Sequence, residues 1–174
     1  MCKRYGLRIS HCYDSGDNKW LDLSGQKGEW AIAFHGVAFP YKSTKQGRIL
    51  NCIMSGKDKG EMLIPGSGQA HLSDMARNNP KEKVGRGIYC SPHFEECFNY
   101  SKALSVGRKA YRLILQCKVN PKKIKVCRNE VYWVVNSPKD VRPYGVLLVK
   151  EKNAQKITSN FYLYAKKFKW ENYI

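Results

Sequence analysis

The chain has 174 residues, with 31 Lys and Arg against 14 Asp and Glu, for a formal net charge of +17. That length suits one domain, residues 1–174, and its 43 % hydrophobic content supports a real core, which excludes a disordered chain. No apolar run approaches the ~20 residues needed to cross a bilayer, so no membrane span is expected.

Such a charge attracts polyanions and speeds their encounter. Nucleic acid, acidic protein surfaces and anionic headgroups all qualify. The cations are spread from Lys102 to Lys169 and form no compact basic motif, so base readout is not implied. Met1-Cys2-Lys3-Arg4-Tyr5-Gly6 is basic with no apolar stretch behind it, so a secretory signal is not expected. The cysteines (Cys2, Cys12, Cys52, Cys90, Cys97, Cys117 and Cys127) are odd in number and scattered. They read as small buried thiols in a reducing, intracellular setting, cytoplasmic or nuclear, with a secreted toxin-like effector as the alternative. Cys90-x-x-His93 with Cys97 lacks a second ligand pair, so no metal site is expected.

In chain order, residues 13–29 are rich in Asp, Gly, Ser and Lys and read as turns. Trp30-Ala31-Ile32-Ala33-Phe34 is a short buried strand that ends at His35-Gly36. Residues 46–54 place apolar groups at helical spacing, with Ser55-Gly56 as the stop. Met62-Leu63-Ile64-Pro65 reads as a short strand. Residues 66–83 read as a loop broken at Asn78-Asn79-Pro80, with one helical turn around Leu72 to Arg77. Gly85-Arg86-Gly87-Ile88-Tyr89 is a tight glycine turn feeding a strand end, and Pro92 to Val106 reads as a helix. Strands are predicted at Tyr111–Val119, Lys123–Cys127, Val131–Val135 and Tyr144–Val149, with another favoured over Ile157–Phe168. There is no βαβ alternation. The class is α+β with largely antiparallel pairing.

Phosphate-loop, serine-elbow and His-Glu-x-x-His templates are absent. Gly85-Arg86-Gly87 is no dinucleotide fingerprint, because the third glycine is missing.

His35-Gly36, Gly85-Arg86-Gly87-Ile88-Tyr89 running on to Asn99-Tyr100, and Asn129-Glu130-Val131-Tyr132 resemble the signature of ADP-ribosyltransferases of the diphtheria-toxin and poly(ADP-ribose)-polymerase type. The resemblance spans roughly Trp30 to Lys150. Each residue alone has an ordinary structural reading; their order, with the dense glycine–tyrosine segment between them, carries the likeness. It implies mainly antiparallel split sheets and a few short helices around an NAD cleft, with His35, Tyr89 and Glu130 as the catalytic triad. NAD is the implied cosubstrate.

By the same resemblance, Glu130 stabilises the charge that develops on the ribose as nicotinamide leaves. Tyr89 and Tyr100 sandwich the nicotinamide ring. Gly36 lets backbone approach the carboxamide, and His35 bonds the adenine-side ribose. Cys97 stands where the family usually has a serine for the carboxamide, and a thiol is the poorer donor. Arg86 and the 66–83 loop are candidates for the pyrophosphate. The expected activity is transfer of ADP-ribose, single rather than repeated, by a monomer to a protein or nucleic-acid acceptor. The alternatives are a catalytically weak nucleic-acid-binding module on the same scaffold and an NAD glycohydrolase. An RNA 2′-phosphotransferase ranks last, lacking the paired arginine and histidine positions it would need.

Overall fold

The computed structural model describes residues 2–6, 8, 9, 19–22, 24–37, 49, 57, 58, 63–66, 72–106, 108–128 and 130–151. Its strands are β1 (Cys2–Gly6), β2 (Arg8–Ile9), β3 (Ala31–Gly36), β4 (Lys57–Asp58), β5 (Met75–Ala76), β6 (Asn79–Lys83), β7 (Ile88–Cys90), β8 (Ala103–Val106), β9 (Lys109–Val119), β10 (Lys125–Cys127), β11 (Tyr132–Val135) and β12 (Val141–Lys150). One longer helix, α1 (Phe94–Tyr100), accompanies them, with 3₁₀ turns at Lys19–Leu21, Pro121–Lys123 and Pro138–Asp140. The class is α+β, and the pairing is antiparallel apart from the short β2–β4 pair.

Strands β1, β12, β9 and β3 lie side by side in a first sheet, with β8 also on β9. A second sheet runs β10, β11, β7. A backbone bridge between Phe34 and Ser91 joins the two, with N–H to carbonyl distances of 2.8 and 3.0 Å. The shared core lies between the sheets. Ala31, Ala33, Leu113, Leu115 and Cys117 from the first sheet meet Ile88, Cys90, Trp133 and Val135 from the second. Strand alternation sends the intervening residues outward. On the first sheet Phe34, Ile114, Leu147 and Val149 are covered by Phe94 and Cys97 of α1. On the second, Val134 and Cys127 are covered by Ala76 and Val84 of the β5–β6 arm.

This double cover explains why β9 is buried at every position from Leu113 to Val119, where alternating burial would mark a half-exposed strand. The burial includes Lys118. Its ammonium donates to Glu29 at 2.9 Å, to the Trp30 carbonyl at 2.9 Å and to the Asp22 carbonyl at 2.5 Å. Beside it the Arg142 guanidinium stacks 4.5 Å from the Trp20 ring and 4.2 Å from the Trp30 ring.

Three expectations need correction. The helix predicted over Pro92 to Val106 is confined to Phe94–Tyr100. Ser101 turns extended, and the Arg112 side chain takes up the Phe98 and Ser101 carbonyls, which caps the helix from outside. Ala103–Val106 then pairs with Lys109–Arg112 as a hairpin. The helical turn predicted around Leu72 to Arg77 is the β5–β6 hairpin, because Asn78 offers both amide groups to β10, donating to the Ile124 carbonyl and accepting from Val126 N–H. Leu63–Pro65 forms no strand; only Gly66 pairs, with Gly87. The helix over 46–54 and the strand over 157–168 fall outside the described residues, apart from Ile49, which packs against the core.

Candidate functional site

His35 is the fifth residue of β3, on the inner side with Ala31 and Ala33. Its Nδ1–H donates to the Tyr89 carbonyl at 2.7 Å, so the histidine strand and the tyrosine strand are tied directly. Burial pulls the imidazole pKa down, but a hydrogen bond and charge from Cys90, with the Tyr89 carbonyl, outweigh it and hold it above its ordinary value. Cys90 is lowered to about 6. Hydrogen bonding from Cys117 leads, opposing burial, and His35 adds to it. His35, Cys90 and Cys117 thus form a buried polar knot at the joint between the sheets.

The Tyr89 ring lies on the other face of β7. It packs with Tyr132 against Ala76, Val84, Cys127 and Val134, and its hydroxyl donates to the Gly85 carbonyl at 3.1 Å. Burial, then the nearby Cys127 and Asp74, raise its pKa. Tyr89 pairs with Val134 in the β7–β11 ladder, which sets Tyr132 diagonally beside it on the same face. The Tyr132 ring meets Tyr100 edge to face, 5.9 Å between centroids at 84°. The Tyr132 hydroxyl donates to Glu96 at 3.0 Å and lies 3.4 Å from the Tyr100 hydroxyl. Its pKa is raised, by burial first and then by these two neighbours. Tyr100 is 59 % exposed.

Glu130 sits in the turn that launches β11, closed by Val131 N–H to the Arg128 carbonyl at 3.1 Å. Its φ is 70° and that of Arg128 is 47°, left-handed conformations that cost a residue with a side chain of order 1 kcal/mol each. The Glu130 carboxylate, 52 % exposed, pairs with Arg77 at 3.4 Å. Arg77 occupies the β5–β6 turn, and its N–H bonds the Val126 carbonyl at 2.8 Å. The hairpin therefore touches both the Tyr89 packing cluster and the Glu130 carboxylate.

The expected residues are thus grouped unevenly. Tyr89 and Tyr132 stand on the outer face of the second sheet, and Tyr132 meets Tyr100 and Glu96 of α1 beside it. His35 meets Tyr89 through backbone and sits with Cys90 on the inner face. Glu130 reaches these tyrosines through the hairpin. Cys97 is buried, and its thiol donates to the Phe34 carbonyl at 3.0 Å; burial, with Cys90 nearby, raises its pKa strongly. Its role here is to dock α1 on β3. Gly36 serves the same contact: a Cβ there would lie 2.2 Å from the Cys97 carbonyl oxygen. Arg86 is exposed and reaches the Pro65 carbonyl at 3.4 Å.

Sequence reasoning gave no role to Tyr132, Glu96 or Arg77. Tyr132 had a readable signal, since a residue two before Val134 in a strand shares its face. Glu96 and Arg77 had none, because their partners lie far away in the chain. No group of three or more potential metal ligands occurs among the described residues. Nor is any of their helices long and apolar enough to cross a membrane. Comparison with protein-family models, with curated proteins and with solved structures finds no match to this chain.

Proposed function

We propose that the chain is an NAD-dependent ADP-ribosyltransferase, acting by single transfer to a macromolecular acceptor. The observation that carries this reading is the meeting of Tyr89 and Tyr132, on the outer face of the second sheet, with Tyr100 of α1, bordered by Glu96 and by the turn that holds Glu130. A nicotinamide ring joined to ribose is flat and cationic. Phenol faces attract such a ring through stacking and cation–π attraction, and carboxylates nearby complement its charge. Breaking its bond to ribose moves positive charge onto the sugar.

Tyr89, Tyr132 and Tyr100 supply the faces, and Tyr132 is itself oriented by Glu96. Glu130 supplies the carboxylate for the sugar's developing charge, and its left-handed backbone aims it independently of the β11 ladder. His35 fixes β3 against β7 through the Tyr89 carbonyl, and its ring also shares a hydrogen bond with Cys90. The resemblance of the His35-Gly36, Gly85–Tyr100 and Asn129–Tyr132 segments to the ADP-ribosyltransferase signature supports the same assignment.

The exposure of Glu130 favours one second reading, an NAD glycohydrolase, because water reaches that carboxylate. Incubation with NAD labelled in the adenylate half, and with separate protein, RNA and DNA pools, distinguishes the two. Label on a pool is the expected result; label only in free ADP-ribose gives the hydrolase. Glu130→Gln should lower nicotinamide release about 100-fold or more while leaving the thermal midpoint in place, the scale of losing one charge-stabilising group. Near-normal turnover in that variant overturns the assignment.

A further inference from the structure

We infer that the outer face of the β5–β6 hairpin binds the phosphate backbone of single-stranded nucleic acid and leads it to Glu130. As the description of an acceptor site this rests on the transferase reading; as a binding surface it stands alone. Segments 75–83 and 121–130 together carry seven Lys or Arg and two carboxylates. Both carboxylates are already paired, Glu82 with Lys125 at 2.8 Å and Glu130 with Arg77 at 3.4 Å. Lys81, Lys83, Lys122 and Arg128 form no ion pair among the described residues, Lys123 lies near enough to Glu82 to share its charge with Lys125, and all five cations are exposed.

The hairpin turns Ala76 inward onto the second sheet, so its opposite side faces solvent. Met75 pairs with Lys83 across the hairpin, which sets both on one face. The register slips before Ala76, which pairs with Asn79, so residues 80–82 bulge between the two pairs, and Lys81 is exposed in that bulge close to Lys83. From there the chain runs back to the turn, where Arg77 grips Glu130. The cations therefore line a path that ends at the proposed catalytic carboxylate.

An apolar component decides between possible polyanions. Leu72, Met75 and Tyr100 are the exposed large hydrophobic residues among those described, with Met75 at 46 % exposure. Two of the three lie on or beside the hairpin. Apolar side chains interleaved with lysines suit unpaired bases, whose faces are open to contact. A duplex hides those faces, and an acidic peptide has no use for them.

The test is titration of the whole protein, without NAD, into fluorescein-labelled oligothymidylate and oligouridylate, read by anisotropy between about 50 and 200 mM salt. Binding should weaken steeply with salt and favour the single strand over a duplex of equal length. Lys81→Glu with Lys83→Glu should weaken binding at least tenfold and lower the salt slope by about 1.4. Lys81→Ala with Lys83→Ala, which adds no charge to the fold, should show a smaller loss of the same kind. Arg108→Glu with Lys109→Glu, on the β8–β9 turn, should stay within about twofold at matched salt, by the same counting of lost phosphate contacts.

Equal losses in the hairpin and β8–β9 variants would overturn the inference in favour of diffuse attraction. So would tighter binding of polyglutamate than of either oligonucleotide, which would point to an acidic protein partner. A protein that releases nicotinamide but ignores both strands overturns this inference and spares the transferase reading. A protein that binds the strands and never releases nicotinamide does the reverse.

Discussion

The two sheets are covered in different ways. The first is sealed by α1, whose Phe94 and Cys97 lie on Phe34, Ile114 and Val149, with backbone so close that Gly36 has no room for a methyl group. The second is covered by a nine-residue arm, 75–83, that buries Ala76 and holds on through Asn78, the Arg77 amide and two ion pairs. One cover is packed and the other is clipped. Gly36 lies against the packed cover and His35 on the opposite face of the same strand, while Tyr89 and Glu130 border the clipped one. The half of the site that must hold shape is thereby built on dense apolar contact. The side that borders Tyr89 and Glu130 rests on exposed polar contacts, which open at lower cost.

The sharpest way to break this contrast is Gly36→Ala. The new Cβ meets backbone, not a flexible side-chain end, so α1 must move. A loss of about 3 kcal/mol is expected, at the upper end for overpacking, measured by urea unfolding. Asn78→Ala attacks the clipped cover. It removes hydrogen bonds of 2.8 and 3.1 Å to β10 and should cost about 1–2 kcal/mol. Hydrogen exchange should quicken in residues 75–83 and leave α1 unchanged; equal quickening in both would erase the distinction.

The smallest effect concerns the knot between the sheets. Cys90 is depressed to about 6 in the fold, so it contributes stability that is full above its ordinary value and is lost as pH falls through about 6. His35, raised, contributes with the opposite sign, its share fading as pH rises through its shifted pKa. Thermal midpoints from pH 6 upward should therefore rise in the parent relative to Cys90→Ala, whose profile should be flatter. Parallel profiles would show that the thiol does not ionise in the fold.

Much of this architecture is legible in the sequence, and the exceptions share a cause. β3, β9, β11 and β12 are apolar and β-branched because both of their faces are covered, and such runs announce themselves. β6 reads Asn79-Pro80-Lys81-Glu82-Lys83, exposed throughout, so it has no hydrophobic alternation to detect. Its proline is tolerated because, among the described residues, the pair has only two strands and no further ladder partner on its outer edges. β8 is set by the turn that folds it onto β9, not by its own composition. The site divides along the same line. His35, Gly36, Tyr89, Tyr100 and Glu130 carry a pattern in chain order. Arg77, Glu96 and Cys90 gain their meaning from neighbours brought by folding. The inward turn of Cys97 likewise follows from the closeness of α1 to β3, which no local pattern encodes.

The ammonium of Lys118 has a bearing on how this molecule can be shortened. Everything that neutralises it comes from residues 22–30, a stretch that supplies no strand to either sheet. Trimming the chain to the first strand of recognisable motif would leave a positive charge sealed inside an apolar slab, a penalty of about 3–5 kcal/mol. The unassuming turns ahead of β3 are thus a stopper for the sheet behind them, and any minimal fragment has to keep Asp22 and everything from there to β3.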